Sequence, residues 1–226
     1  MTQIRVYGAN LCRLSAEACY PILDSSEAQR AASISHLLAR EEFVKTRALL
    51  RNVLGACTNT DPRNFTFATG MNGKPRIVGD DSLHFNVSHA AGRALIAIAP
   101  SAVGIDIERA DKSIDHLAVA AEIFSPAEYA AVENAPQPNR SEVFFTIWTR
   151  KEAYLKATGC GFSANLERIS SIAPDREIED ASILHGADHW FAYDLPAPAF
   201  FRAALVASSN SLEITVSDVS GILRPH

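Results

Sequence analysis

The sequence predicts an α+β protein of two similar halves, 1–102 and 103–226, related by a pseudo-two-fold axis and facing each other across a cleft. Helical periodicity gives way to alternating strand patterns twice along the chain. In addition, RALIAIA from Arg93 resembles RAALVA from Arg202, and each is followed after a short turn by another alternating segment, GIDIE or EITVSDV. Short apolar matches also arise by chance, so on its own this self-similarity is weak evidence of an internal duplication; it suggests two halves facing each other, with the cleft between them as the natural place for a ligand.

Element by element, residues 4–7 start a strand, and residues 25–57 carry two helical stretches, the second with Phe43, Leu49, Leu50, Val53 and Leu54 at helical spacing. Phe65 and Phe67, then Leu83, Phe85 and Val87, alternate at period two around a turn at GMNGKP (70–75). Residues 93–99 and 104–108 are two further strands. Ser125, Pro126 and Glu128 form a capping box that starts a helix, and Asn139 with Glu142 offers a second start of the same kind. From there VFFTIWTRKEAYLKATG reads as one long helix stopped by Gly159. Residues 190–193, 202–207 and 212–219 read as strands.

Nearly half the residues are hydrophobic (47%), enough for a globular core, and 26 acidic against 21 basic residues leave a net charge of −5. That balance argues against nucleic-acid binding, which needs clustered cations, so any polyanionic ligand requires a local basic pocket. Four cysteines without CxxC spacing point to free thiols in a reducing compartment, with cytoplasm the expected location. The opening MTQIRVYGAN lacks a signal-peptide pattern, and no apolar run is long enough to span a bilayer, so a soluble protein without membrane association is expected.

Asp106 and Glu108 are two apart on a strand, so both carboxylates leave the same face and can hold a hard cation. Glu152 and Lys156 are four apart on the long helix and share a face, with Trp148 one turn earlier. A third carboxylate beside the first two would complete a magnesium site, and a lysine one turn on would neutralise a bound diphosphate. Phe85–His89 (FNVSH) ends a strand with a hydroxyl and an imidazole, and Arg40, Arg47 and Arg51 repeat along a helix. Taken singly, each feature is ordinary: an edge-strand face, a surface helix pair, turn-forming Asn86 and Ser88, a hairpin turn at 73–75, a solvated basic face.

GKP, FNVSH, VGIDIE and FTIWTRKEAYLKATG occur in the order and at about the spacing found in Sfp-type 4′-phosphopantetheinyl transferases, and from about Arg40 to Phe162 the chain resembles that family. The most specific segments are GIDIE (104–108) and WTRKEAYLK (148–156). The resemblance implies the pseudo-dimeric fold of that family and an enzyme that moves phosphopantetheine from coenzyme A to a serine of an apo acyl or peptidyl carrier protein, releasing adenosine 3′,5′-bisphosphate. It implies magnesium, with manganese as an alternative, on Asp106, Glu108 and Glu152, and coenzyme A phosphates on Lys156. Asp106, Glu152 and Lys156 are the implied catalytic set, with Glu152 the candidate acceptor of the serine proton. Ser88 and His89 are implied at the nucleotide end, Gly73, Lys74 and Pro75 beside the adenine, and Arg40, with Arg47 as a weaker candidate, at the 3′-phosphate. Some members carry lysines in the preceding helix, whereas residues 31–39 here offer only His36. An apolar docking surface with local basic residues is expected for the acidic carrier, and Phe124 and residues 160–162 read either as contributors to it or, at least equally, as plain core. A monomer is expected, since a fused duplicate needs no partner chain. A magnesium-dependent phosphohydrolase and a non-catalytic coenzyme A-binding module are the rival readings.

Overall fold

The computed structural model describes residues 1–70, 74–161, 165–173, 175–180 and 189–222. Strand β1 (Thr2–Asn10) is followed by helices α1 (Ala16–Cys19), α2 (Ser25–Ser33) and α3 (Leu37–Thr58). The small hairpin β2 (Phe67–Thr69) and β3 (Pro75–Ile77) leads into β4 (His84–Ala90), β5 (Arg93–Ala99) and β6 (Val103–Arg109). Three helices come next, α4 (His116–Ile123), α5 (Pro126–Asn134) and α6 (Arg140–Thr158). The chain then forms the short pair β7 (Ile169–Ser170) and β8 (Glu179–Asp180), and strands β9 (Phe191–Asp194), β10 (Phe201–Ala207) and β11 (Leu212–Asp218). The architecture is α+β, as the sequence predicts.

Two sheets carry the core, one ordered β11-β1-β5-β4 and the other β6-β10-β9. Apart from β11 they follow one plan. A first strand (β1 or β6) leads through a long helix (α3 or α6) to a hairpin (β4–β5 or β9–β10), whose second strand pairs antiparallel with the first. Strand β11 returns to the opening sheet and pairs in parallel with β1, from Thr2 opposite Leu212 to Gly8 opposite Asp218.

Helix ends follow local chemistry with one exception. Ser125 and Glu128 form the expected capping box at α5, and Gly159, at φ 74°, closes α6 with its N–H on the Leu155 carbonyl. Asn139 does not cap α6 as expected. A 3₁₀ turn (Gln137–Asn139) runs straight into the helix, so Asn139 has helical backbone angles and its side chain makes no capping bond. Helix α4 was not apparent in the sequence. Phe124 at its end is buried against Phe144, so it belongs to the core rather than to a docking surface. Phe162, the other proposed aromatic, and Gly73 lie outside the described residues.

The contact that positions the site is α6 against β6. A Cβ on Gly104 would stand 1.8 Å from the Ala153 carbonyl oxygen and 2.5 Å from the Ala157 nitrogen, so only glycine lets the helix backbone lie on the strand. Elsewhere on α6, fully buried Lys151 pairs with fully buried Glu128 of α5 at 2.6 Å and donates to the carbonyls of Leu166 and Ile169. Successive helical residues differ by about 100° in direction. Anchoring Lys151 in that pocket therefore sets the roll of α6 that turns Glu152 and Lys156 toward β6. Because neither backbone can yield without breaking helix or sheet bonds, Gly104→Ala is expected to destabilise the protein by about 3 kcal/mol or to prevent folding. Chemical denaturation of the variant measures this.

Candidate functional site

Along β6, Asp106 is buried (2% exposed) and Glu108 is half-buried on the same face. Helix α6 brings Lys156 over them, with its Nζ 2.6 Å from Asp106 Oδ1 and 3.1 Å from Ser88 Oγ. The Ser88 hydroxyl in turn donates to Asp106 Oδ1 at 2.8 Å and accepts from the Ile107 N–H at 3.3 Å. One donor and two acceptor sites exhaust a hydroxyl, so Ser88 is a fixed hub that orients both charged groups. Asn86, two residues earlier on β4, accepts from the Ile105 N–H through Oδ1 at 2.8 Å. These two side chains replace the carbonyls of a missing neighbouring strand and tie β4 to β6 across the gap between the sheets. The alternative reading of Asn86 and Ser88 as turn formers does not hold, since alternation on a strand aims both at the same neighbour; Ser88, expected at the nucleotide end with His89, faces Asp106 and Lys156 instead, on the side away from His89.

The carboxylates repel one another. Burial, and then the charge of Asp106, push Glu152 up to about 7, while Lys156 pulls the other way. Glu108 also rises to about 7, from burial first and then from Asp106, with Glu152 adding to it and Lys156 opposing. Asp106 Oδ2 and Glu152 Oε1 are buried without a hydrogen-bond partner. Two orphaned oxygens and two carboxyls held toward their neutral form leave acidic groups gathered in a low-dielectric space with only part of a counter-charge. Among the described residues, no three His, Cys, Asp or Glu side chains are already drawn together as a metal cage. The donor set nevertheless fits a hard divalent ion, which prefers carboxylate oxygens.

A second group lies on the opposite face of β4. His89 projects away from Ser88 into a cleft of about 250 Å³, also lined by Arg30, Phe43, Arg47, Phe67 and Pro75. Arg47 donates its Nε to Glu27 at 2.8 Å and stands 4.9 Å from the centre of the Phe67 ring, and Arg30 stands 5.5 Å from the Phe43 ring centre. His89 lies 3.6 Å from Glu42. Arg30, not singled out by the sequence, stands in the last turn of α2 just before residues 31–39, and that position is the signal that could have found it. Arg40, by contrast, donates its Nε to the Ile34 carbonyl and is not among the cleft-lining residues. Arg51 is no part of a solvated face: it is wholly buried, bonded to Asp24, Glu27 and the carbonyls of Pro62 and Phe65. Lys74 turns inward, its Nζ 2.7 Å from the Lys156 carbonyl and 3.1 Å from that of Val103, and burial pulls its ammonium down to about 8.

Asp106 and Lys156 stand on one side of β4 and a cleft bearing two arginines and a histidine on the other, cations of the kind that suit phosphate oxygens. Residues 102–204 match the 4′-phosphopantetheinyl transferase superfamily. The chain is 38% identical to the 4′-phosphopantetheinyl transferase HetI of Nostoc sp. over 152 residues, covering 65% of this chain and 63% of that protein, somewhat less than two thirds of its length. It is 31% identical to the 4′-phosphopantetheinyl transferase psf-1 of Bacillus pumilus over 70% of this chain and 67% of that protein. With the 4′-phosphopantetheinyl transferase Sfp of Bacillus subtilis it shares 32% identity over 54% of each chain. The chain belongs to the 4′-phosphopantetheinyl transferase family. No helix among the described residues is long and apolar enough to cross a membrane.

The raised carboxyls have a measurable consequence in metal-free protein. A carboxyl whose folded value lies near 7 favours the fold fully below its unfolded value of about 4.5, and that contribution is lost as pH rises through 7. Glu108→Gln and Glu152→Gln are therefore expected to raise the Tm of metal-free protein at pH 8 and to leave it nearly unchanged at pH 4.5. Thermal melts at the two pH values check this.

Proposed function

We propose that the protein transfers the 4′-phosphopantetheine group of coenzyme A to a serine hydroxyl of an apo acyl or peptidyl carrier protein and releases adenosine 3′,5′-bisphosphate. The observation that carries this reading is Lys156 of α6 bound to Asp106 of β6, with unpartnered buried oxygens on Asp106 and Glu152 beside it. Asp106, Glu108 and Glu152 would hold a divalent cation, magnesium or alternatively manganese. Such an ion supplies Lewis-acid neutralisation of a diphosphate when bound.

The chain's own groups do the rest. Lys156, oriented by Ser88, offers a positive charge where phosphate oxygens gain negative charge as the leaving group departs. Glu152, buried and reluctant to ionise, is the proposed acceptor of the serine proton. At the nucleotide end, Arg47, His89 and Arg30 form the proposed 3′-phosphate cleft, with Pro75 as the proposed border of the base. Arg30 would supply a cation from α2, where residues 31–39 carry only His36, and Arg40 would contribute less because its guanidinium is engaged with the Ile34 carbonyl.

We also read the chain as two halves, 1–102 and 103–226, acting as a monomer in the cytoplasm. The repeated strand plan of the two sheets supports the first point, and four free cysteines suit a reducing compartment.

Incubation with magnesium, coenzyme A and apo carrier proteins, followed by intact mass spectrometry of the carrier, tests the activity. Gain of one phosphopantetheine is expected; coenzyme A cleavage without gain across several carriers would instead establish a phosphohydrolase. Asp106→Ala and Glu152→Ala are expected to lower the transfer rate by at least about 10²-fold with the fold intact. Arg47→Ala and His89→Ala should raise KM for coenzyme A by roughly 10-fold while changing KM for its 3′-dephospho form little. Equal effects on both substrates would remove these residues from 3′-phosphate recognition.

A further inference from the structure

Lys74 stands at a junction between the hairpin and the elements that carry Lys156 and Asp106. It immediately precedes β3, and Pro75, the first residue of that strand, lines the cleft with Arg47 and His89. The Lys74 side chain leaves the hairpin for the two elements that carry the phosphate-side groups. Its ammonium donates to the Lys156 carbonyl, in the last turn of α6, at 2.7 Å, and to the Val103 carbonyl, at the start of β6, at 3.1 Å. Carbonyls in the last turn of a helix have no intrahelical partner and sit at the negative end of the helix dipole, so a buried ammonium there is doubly favoured.

We propose that Lys74 is a positioning residue for Lys156, tying the hairpin that borders the nucleotide cleft to the helix turn and strand that carry the phosphate-side charges. The proposal rests on the role given to Lys156 above. A lysine that contacted coenzyme A directly would need its ammonium free for the ligand, whereas two main-chain carbonyls hold this one. Through it, the main chain that carries Lys156 is fixed from a different element than the one that fixes its Nζ. The Nζ is held by Asp106 and Ser88 of β6 and β4. Lys74 therefore stands between the two ends of the site and links displacement of the hairpin to displacement of the phosphate-side lysine.

A double-mutant cycle tests this. Lys74→Met should lower kcat at least about 10-fold with KM for coenzyme A changing less than about 3-fold, and should add no further loss in kcat beyond about 2-fold on a Lys156→Ala background. A rise in KM alone would make Lys74 a ligand contact and overturn the proposal, as would an equal loss on both backgrounds. Should Lys74→Met fail to fold, Lys74→Gln, which retains an N–H donor, enters the same cycle. Amide hydrogen exchange supplies a readout free of activity. Lys74→Met is expected to speed exchange in the last turn of α6 and leave α3 unchanged. Unchanged protection in α6 would overturn the tether even if wild-type protein transferred nothing, whereas absent transfer with faster α6 exchange would reject the functional reading and keep the tether.

Discussion

The close approach of α6 to β6 is the constraint on which the rest of the structure depends. Where Gly104 removes the side chain that would collide with Ala153 and Ala157, the helix backbone settles directly on the strand, and Lys156 comes within 2.6 Å of Asp106. That contact works against charge repulsion, because Asp106 disfavours ionisation of both Glu108 and Glu152, and Glu152 adds to the effect on Glu108. The attraction of Lys156 offsets only part of this. The geometry must therefore be held by forces outside the site. They are the packing of Ala153 and Ala157 with Ala204 and Val206 in one cluster, and the buried Lys151–Glu128 pair that anchors the helix from α5. A functional site that is electrostatically unfavourable on its own is stabilised by apolar and ionic contacts that take no part in its chemistry.

Strand β4 serves both ends of that site. Its inward positions, Asn86 and Ser88, supply side-chain acceptors to the N–H groups of β6 and so join two sheets that share no backbone ladder at this edge. Its outward positions, Val87 and His89, line the cleft that also receives Arg30 and Arg47. One five-residue segment thus provides structure on one face and cleft-facing groups on the other, because a strand sends neighbouring side chains in opposite directions.

The distribution of charge is equally local. A chain of net charge −5 presents two arginines and a histidine to one small cleft. Glu27 and the Phe67 ring hold Arg47 in place, and Arg30 lies on Phe43. Arg51 on the same helix is consumed in structure, neutralised by Asp24 and Glu27. Helical spacing alone could not separate the arginine that faces the cleft from the one that braces α3 against the preceding helix, because both lie on a stripe that their partners, not their neighbours, divide.

The sequence by itself determined what depends on near neighbours: the α+β class, the capping box at Ser125, the stop at Gly159, and the pairing of Asp106 with Glu108 and of Glu152 with Lys156 on common faces. Each of these follows from a period of two or of 3.6 residues, or from the backbone freedom of one residue type. Asn139 marks the limit of that method, since a 3₁₀ turn merging into the helix removed the extended cap that its residue type suggested. Tertiary structure alone decided that the two acidic faces meet, that β11 pairs with β1, that Asn86 and Ser88 bridge the sheets, that Arg30 enters the cleft, and that Lys74 turns inward. Those outcomes join residues as far apart as Thr2 and Leu212, and a local repeat specifies which way a side chain points but carries no information about what waits there.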